Sequence, residues 1–142
     1  MTRNSPDDAT RRGSAAVDAV EGLLAFATTR PRWAASTALN SASEAISRSR
    51  ALAEVSPAEH TALLARCLST TARLLLRRSR ATEALPLAQE AVALTRTAGG
   101  SPLATSLRCL AEAEEALHRY SDAAATLAEA DRIPPPAGPS PN

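Results

Sequence analysis

The chain contains few aromatic residues and no lysine. Phe, Trp and Tyr occur once each and together make up 2% of the 142 residues. A core without aromatic rings depends on Leu and on close contacts between Ala residues, and both residue types lead the helix-propensity scale. All 16 basic residues are arginine, as is typical of proteins from GC-rich bacterial genomes. These two absences favour an all-α protein of bacterial origin.

Cysteine, net charge and long apolar runs are also scarce. Cys67 and Cys109 are too few and too far apart for a disulfide framework or a zinc knuckle. A net charge of +1 argues against a protein dedicated to nucleic acid or to membrane surfaces. No apolar run approaches the ~18 residues that span a bilayer, and the start of the chain lacks the apolar segment of a secretory signal. We therefore expect a cytoplasmic protein with no membrane association.

Catalytic and metal-binding motifs are missing from the sequence. It contains no G-x-x-x-x-G-K-[ST], G-x-S-x-G or H-E-x-x-H pattern. His60 and His118 have no acidic or cysteine partner at the spacing of metal ligands, so surface or capping roles are expected for them. Neither cysteine is accompanied by the histidine that a catalytic thiol needs. We expect no enzymatic activity, no metal and no cofactor.

A repeat of 39 residues runs through the second half of the chain. The offset carries through two predicted helices and the turn between them, so it predicts repeated helix pairs. It places Leu64 on Leu103, Leu68 on Leu107, Ala72 on Ala111, Arg80 on Arg119, Ala84 on Ala123, Glu90 on Glu129 and Ala91 on Ala130. A looser copy precedes these two, because TALNSASEAI at 37–46 matches EALPLAQEAV at 83–92 with an offset of 46.

Apolar spacing, prolines and glycines predict six helices in one domain. Ser14 is the expected N-cap of the first helix, and Ser56-Pro57-Ala58-Glu59 is a capping-box pattern. The predicted helices cover 14–29, 32–53, 57–78, 82–98, 102–117 and 121–133. We expect residues 1–13 to be disordered, residues 14–133 to form a divergent repeat (14–56) and two regular ones (57–98 and 101–133), and the Pro-rich residues 134–142 to be a flexible tail.

The segments SRATEALPLAQEAVAL and HRYSDAAATLAEADRI resemble the tetratricopeptide repeat (TPR), especially the kinesin-light-chain-like variety common in actinobacterial proteins. The resemblance covers residues 57–133 well and 14–56 loosely. It implies an α-α superhelix, a TPR-like solenoid of about three helical hairpins. Small residues such as Ala72, Ala84 and Ala91 let paired helices approach to ~8 to 10 Å. Ser79 and His118 replace the family's glycine at a position that often needs positive φ.

In this family the first helix of each pair lines a concave groove that binds a peptide. Arg73 aligns with Glu112, so the two side chains are expected to face each other across neighbouring helices. A basic side formed by Arg66, Arg73, Arg77 and Arg80 would pair with carboxylates of a partner. The alternative is a solvated face with ion pairs between repeats, each worth ~0 to 1 kcal/mol. The groove candidates are Arg66, Ser69, Arg73, Arg77, Thr105, Arg108, Glu112 and Glu115.

Three functions are open at this point. The first is an adaptor that binds a protein or peptide in the groove, where the basic side would suit an acidic partner. The second is self-assembly into a homo-oligomer, because three helix pairs are near the lower limit for a stable array. The third and least favoured is nucleic-acid binding through Arg73–Arg80, a segment interrupted by Leu74, Leu75 and Leu76 and without aromatic residues for stacking.

Overall fold

The computed structural model describes residues 6–137, and helices make up nearly all of this range. A short 3₁₀ turn, Arg32–Ala34, precedes the second helix. No strand occurs between residues 6 and 137. The prediction of an all-α chain with about six helices is confirmed. The helices are α1 (Pro6–Thr29), α2 (Ala35–Val55), α3 (Pro57–Arg77), α4 (Ala81–Thr95), α5 (Gly100–Ala116) and α6 (Tyr120–Asp131).

The start of α1 differs from the prediction. The helix begins at Pro6, so Ser14 lies inside it and residues 6–13 are helical rather than disordered. Residues 1–5 and 138–142 lie outside the described range. Residues 134–137 have no regular secondary structure.

The capping box predicted at Ser56 is not formed. Ser56 does precede α3, and its carbonyl accepts hydrogen bonds from the amides of Glu59 and His60 at 3.2 and 3.1 Å. Its side chain makes no capping bond. The same residue also ends α2, because its amide donates to the carbonyl of Leu52 at 3.0 Å. The backbone of Ser56 is therefore hydrogen-bonded to both helices, to α2 through its amide and to α3 through its carbonyl.

The core combines leucines such as Leu68 and Leu107 with small residues where helices cross. Ala72 of α3 lies with Ala84 and Ala88 of α4 and Cys109 of α5 in one buried cluster. These four side chains are 0% exposed, so neighbouring helices approach closely over them. The predicted crossing of Ala72 with Ala84 is confirmed. Leu127 is 36% exposed because no further helix covers this side of α6 in the described chain.

The first helices of successive pairs pack on one another closely enough for their backbones to be neighbours, whereas the second helices meet only through side chains. Helix α3 packs on α5 and touches α1, while α2, α4 and α6 have no mutual backbone packing within the described chain. Ion pairs connect them instead: Arg50 of α2 bonds to Glu90 of α4 at 2.5 Å, and Arg96 of α4 bonds to Glu129 of α6. The two pairs occupy equivalent positions of successive repeats. This arrangement is compatible with a superhelix.

The turns within the second and third pairs share one backbone geometry. Ser79 has φ of 59° and His118 has φ of 61°, which confirms the positive φ expected there. After α3, the amide of Arg80 donates to the carbonyl of Leu75 at 3.0 Å. After α5, the amide of Arg119 donates to the carbonyl of Glu114 at 2.8 Å. Both helices therefore end in the same left-handed C-terminal motif.

None of the helices in residues 6–137 is both long enough and apolar enough to cross a bilayer.

Candidate protein-binding groove

A groove of about 380 Å³ lies between α3 and α5, the first helices of the two regular repeats. Four of the eight predicted residues line it: Arg66, Ser69 and Arg73 from α3, and Thr105 from α5. The remaining lining residues are small or hydroxyl-bearing, namely Ala62, Ala65, Thr70, Thr95, Ser101, Pro102 and Ser106. The fold therefore brings side chains about 40 positions apart to one surface, as the repeat predicts.

The arginines of this groove are paired with carboxylates of the same chain. Arg66 donates two hydrogen bonds to Glu21 of α1, at 2.8 and 3.0 Å. These bonds raise the pKa of Arg66 and lower that of Glu21. Arg73 lies 3.9 Å from Glu112, which confirms that these two side chains face each other. The groove thus has mixed charge rather than the expected basic side.

The floor of the groove contains a buried hydroxyl. Ser69 is 4% exposed, and within the described residues its Oγ makes no hydrogen bond. Its carbonyl accepts a weak hydrogen bond from the Cys109 thiol at 3.6 Å. Burial raises the pKa of the Cys109 thiol to about 11 and also raises that of Cys67. Both cysteines are free and buried, so they pack as small core residues.

The other four predicted residues lie outside the lining of the groove. Glu112 does not line the groove, but it lies 3.9 Å from Arg73, which does. Arg108 lies 4.0 Å from Asp131 of α6. Glu115 is exposed on α5. Arg77 is also exposed, and it lines a separate pocket at the other end of α3. The repeat spacing predicted that all eight residues would share one continuous surface. Arg77 lies elsewhere because the end of α3 faces the α1–α2 turn.

Three features of the surface were not predicted. Glu21 is the partner of Arg66, but it lies in the loosely matching first repeat, where alignment gave no guide. Glu114 is 8% exposed and accepts a hydrogen bond from Thr126 at 2.7 Å, which explains how a carboxylate stands where the preceding repeat has Leu75. The third feature is the pocket beside Arg77, which the adjacent arginines in RPR and RR could have indicated.

Metal ligands are not grouped in the part of the chain that the structure describes: no three His, Cys, Asp or Glu side chains come together there. Comparisons with protein-family models, with curated proteins and with solved structures found no match to this chain.

Proposed function

We propose that this chain is a non-enzymatic, TPR-like interaction module that binds a peptide segment of a protein partner in the groove between α3 and α5. The observation that carries the proposal is the groove itself. Equivalent helices of two repeats form it, and the repeat offset, the small residues at the helix crossings and the positive φ at Ser79 and His118 all agree with the TPR resemblance.

The chemistry of the groove suits a peptide backbone. The hydroxyls of Thr70 and Thr105 line the groove and can donate to and accept from main-chain groups of a peptide, whereas the Ser69 Oγ is buried beneath them. Arg73 and Glu112 at 3.9 Å form a loose pair that can exchange partners with charged side chains of a peptide. We therefore expect peptides that carry charges of both signs rather than purely acidic ones.

We also propose that this module acts in the cytoplasm of a bacterium with a GC-rich genome, such as an actinobacterium. Free thiols such as Cys67 and Cys109 are the usual state in a reducing compartment. The arginine-only basic composition supports the source.

Self-assembly is the second candidate, and exposed apolar residues on α6 favour it. Leu127 is 36% exposed and Tyr120 is 63% exposed on the last helix of the described range. A second copy could cover this side. Sedimentation over a range of concentrations tests the idea: a mass that stays monomeric at high concentration would contradict it.

Nucleic-acid binding through Arg73–Arg80 has less support. Within this segment, Leu75 is buried, with only 7% of its surface exposed. Arg80, in the turn that follows α3, donates two hydrogen bonds to Glu83 of α4, at 2.5 and 2.7 Å. The segment therefore does not present a continuous basic stripe.

Selection from a random peptide library tests the groove. Peptides would be selected on the wild type and then measured on Thr105→Arg, which places a large side chain in the groove from an exposed position. The matched control is Gln89→Arg on the exposed face of α4. We expect at least a tenfold loss of affinity in the first variant and less than a twofold change in the second. Equal binding to both variants would contradict the groove as the peptide site.

A further inference from the structure

A second pocket, of about 360 Å³, lies where the α1–α2 turn meets the end of α3. We call it the arginine pocket. Arg30 and Arg32 reach it from the turn, and Arg77 and Arg78 reach it from the end of α3. Its remaining lining residues are apolar, namely Ala27, Pro31, Ala35, Ala38, Leu39 and Leu74. Four arginines and six apolar residues thus line one pocket.

These four arginines lack the carboxylate partners that other arginines of the chain have. Arg50, Arg66 and Arg96 each bond to a glutamate of another helix. Among the side chains that the structure describes, none of the four in the arginine pocket forms an ion pair with a carboxylate. Arg30 instead lies over the Phe26 ring, with its guanidinium carbon 3.9 Å from the ring centre.

The local charge balance is strongly positive. Helices α1 and α3 both end at this pocket, and each C-terminus contributes roughly −0.5 charge, while α2 begins there and its N-terminus contributes roughly +0.5. Together these helix ends offset only about half of one positive charge. An excess of roughly three charges or more remains, by the same reckoning, in a space large enough for a small organic anion.

An exposed indole lies next to the arginine pocket. Trp33 is the only tryptophan of the chain and is 89% exposed. It belongs to the same 3₁₀ turn as Arg32. A large apolar ring left in water beside a cationic pocket is suited to covering a ligand that has both an anionic and an apolar part.

We propose that the arginine pocket binds a phosphate monoester whose organic group is aromatic or apolar. A phosphate monoester carries about −1.5 to −2 charge on three terminal oxygens, so one group can bond to two or three guanidiniums at once. A carboxylate has two oxygens and one charge, and would leave most of the four arginines unpaired. The organic group lies on the Ala27, Ala38 and Leu74 floor. Its source is either a phosphorylated side chain of a protein or a free small ester.

Phenyl phosphate is the probe, and Trp33 is the reporter. Calorimetry gives the affinity, and the emission of the single tryptophan shows whether binding occurs beside it. Phenylacetate serves as the carboxylate of matching shape. We expect a saturable change in Trp33 emission and binding of phenyl phosphate at least tenfold tighter than that of phenylacetate. Equal affinities, or no binding of phenyl phosphate, would overturn the proposal.

Paired variants separate the pocket from general charge attraction. Arg77→Gln/Arg78→Gln removes two charges from the pocket, and Arg119→Gln/Arg132→Gln removes two from exposed positions at the two ends of α6. We expect at least a tenfold loss of phenyl phosphate affinity in the first variant and less than a twofold loss in the second, with the helical circular dichroism unchanged in both. Equal losses would show that the protein binds anions only through its overall charge.

Two further arms identify the source of the phosphate. A phosphotyrosine peptide that binds at least tenfold tighter than phenyl phosphate supports a phosphorylated protein partner, whereas equal affinity supports a small ester. Tighter binding of a single-stranded oligothymidine than of either probe would overturn the proposal in favour of nucleic acid. Thr105→Arg should leave phenyl phosphate binding unchanged, so the arginine pocket is tested separately from the groove between α3 and α5.

Discussion

Individual residues of the turns carry strain that substitution can relieve. Ser79 has φ of 59°, a conformation that costs a residue with a Cβ ~1 to 2 kcal/mol. We expect Ser79→Gly to raise the free energy of unfolding by about 1 kcal/mol, measured by urea denaturation. The matched control is Ser43→Gly on the exposed face of α2, which should lower it by about 0.5 to 1 kcal/mol. The same sign for both variants would contradict the explanation.

The thiol of Cys109 should be nearly inert in the folded protein. Its pKa is raised to about 11 by burial, so at pH 8 only about one thiol in a thousand is ionised. We expect an aromatic disulfide reagent to modify the native protein at least a hundredfold more slowly than the urea-unfolded chain, in which the thiol pKa is about 8.5. A native rate within tenfold of the unfolded rate would show that the core around Cys109 opens readily.

At the scale of helices, the Arg66–Glu21 pair connects α1 to α3. Because the pair lowers the pKa of Glu21 in the folded state, its stabilisation is present above the ordinary glutamate pKa of about 4.3 and is lost as the pH falls through the folded value. Both side chains are partly exposed, so we expect Glu21→Gln to cost at most about 1 kcal/mol at pH 7 and close to nothing at pH 2.5.

Urea denaturation at the two pH values measures this difference. Glu115→Gln, an exposed substitution on α5, is the control for the loss of a negative charge. A cost of Glu21→Gln that is the same at both pH values would mean that the substitution acts through packing and not through the ion pair.

The crossing of α3 and α4 depends on small side chains. Ala84 is 0% exposed and belongs to the same cluster as Ala72. We expect Ala84→Leu to lower the free energy of unfolding by about 1 to 3 kcal/mol or more, because the added methyl groups force the helices apart. Ala93→Leu at an exposed position of α4 should change it by less than about 0.5 kcal/mol. Equal effects on the thermal midpoint would contradict close packing at Ala84.

Helices and their crossings were predictable because they repeat, whereas charge partners mostly were not. A 3.6-residue period and a constant offset predict buried alanines such as Ala72 and Ala84. The partner of Arg66 depends on which helix lies beside it, and that helix comes from the divergent first repeat. The two pairs Arg50–Glu90 and Arg96–Glu129 could have been predicted as equivalent, because the offset of 46 takes Arg50 to Arg96 and the offset of 39 takes Glu90 to Glu129.

Over the whole molecule, charge is distributed unevenly among the repeats. Residues 57–98 contain six arginines and three acidic residues, and residues 101–133 contain three arginines and six acidic residues. Some of this imbalance is resolved by pairs between the two repeats, such as Arg73–Glu112 and Arg96–Glu129. The surplus of arginine remains at the arginine pocket, where no acidic repeat packs. The last repeat therefore pairs with Arg73 and Arg96 and leaves Arg77 and Arg78 of the arginine pocket available to a ligand.

The last repeat should also stabilise the repeats that precede it. Each helix pair buries its apolar face on its neighbours, and α5 covers Ala72 and Leu75 of α3 through Cys109. We expect a chain that ends at Gly99 to unfold in urea at a lower midpoint and with an m-value reduced by roughly a quarter, since less surface is buried. Removal of residues 134–142 alone should leave both unchanged. An unchanged midpoint after loss of α5 and α6 would mean that the first two helix pairs fold independently of the last one.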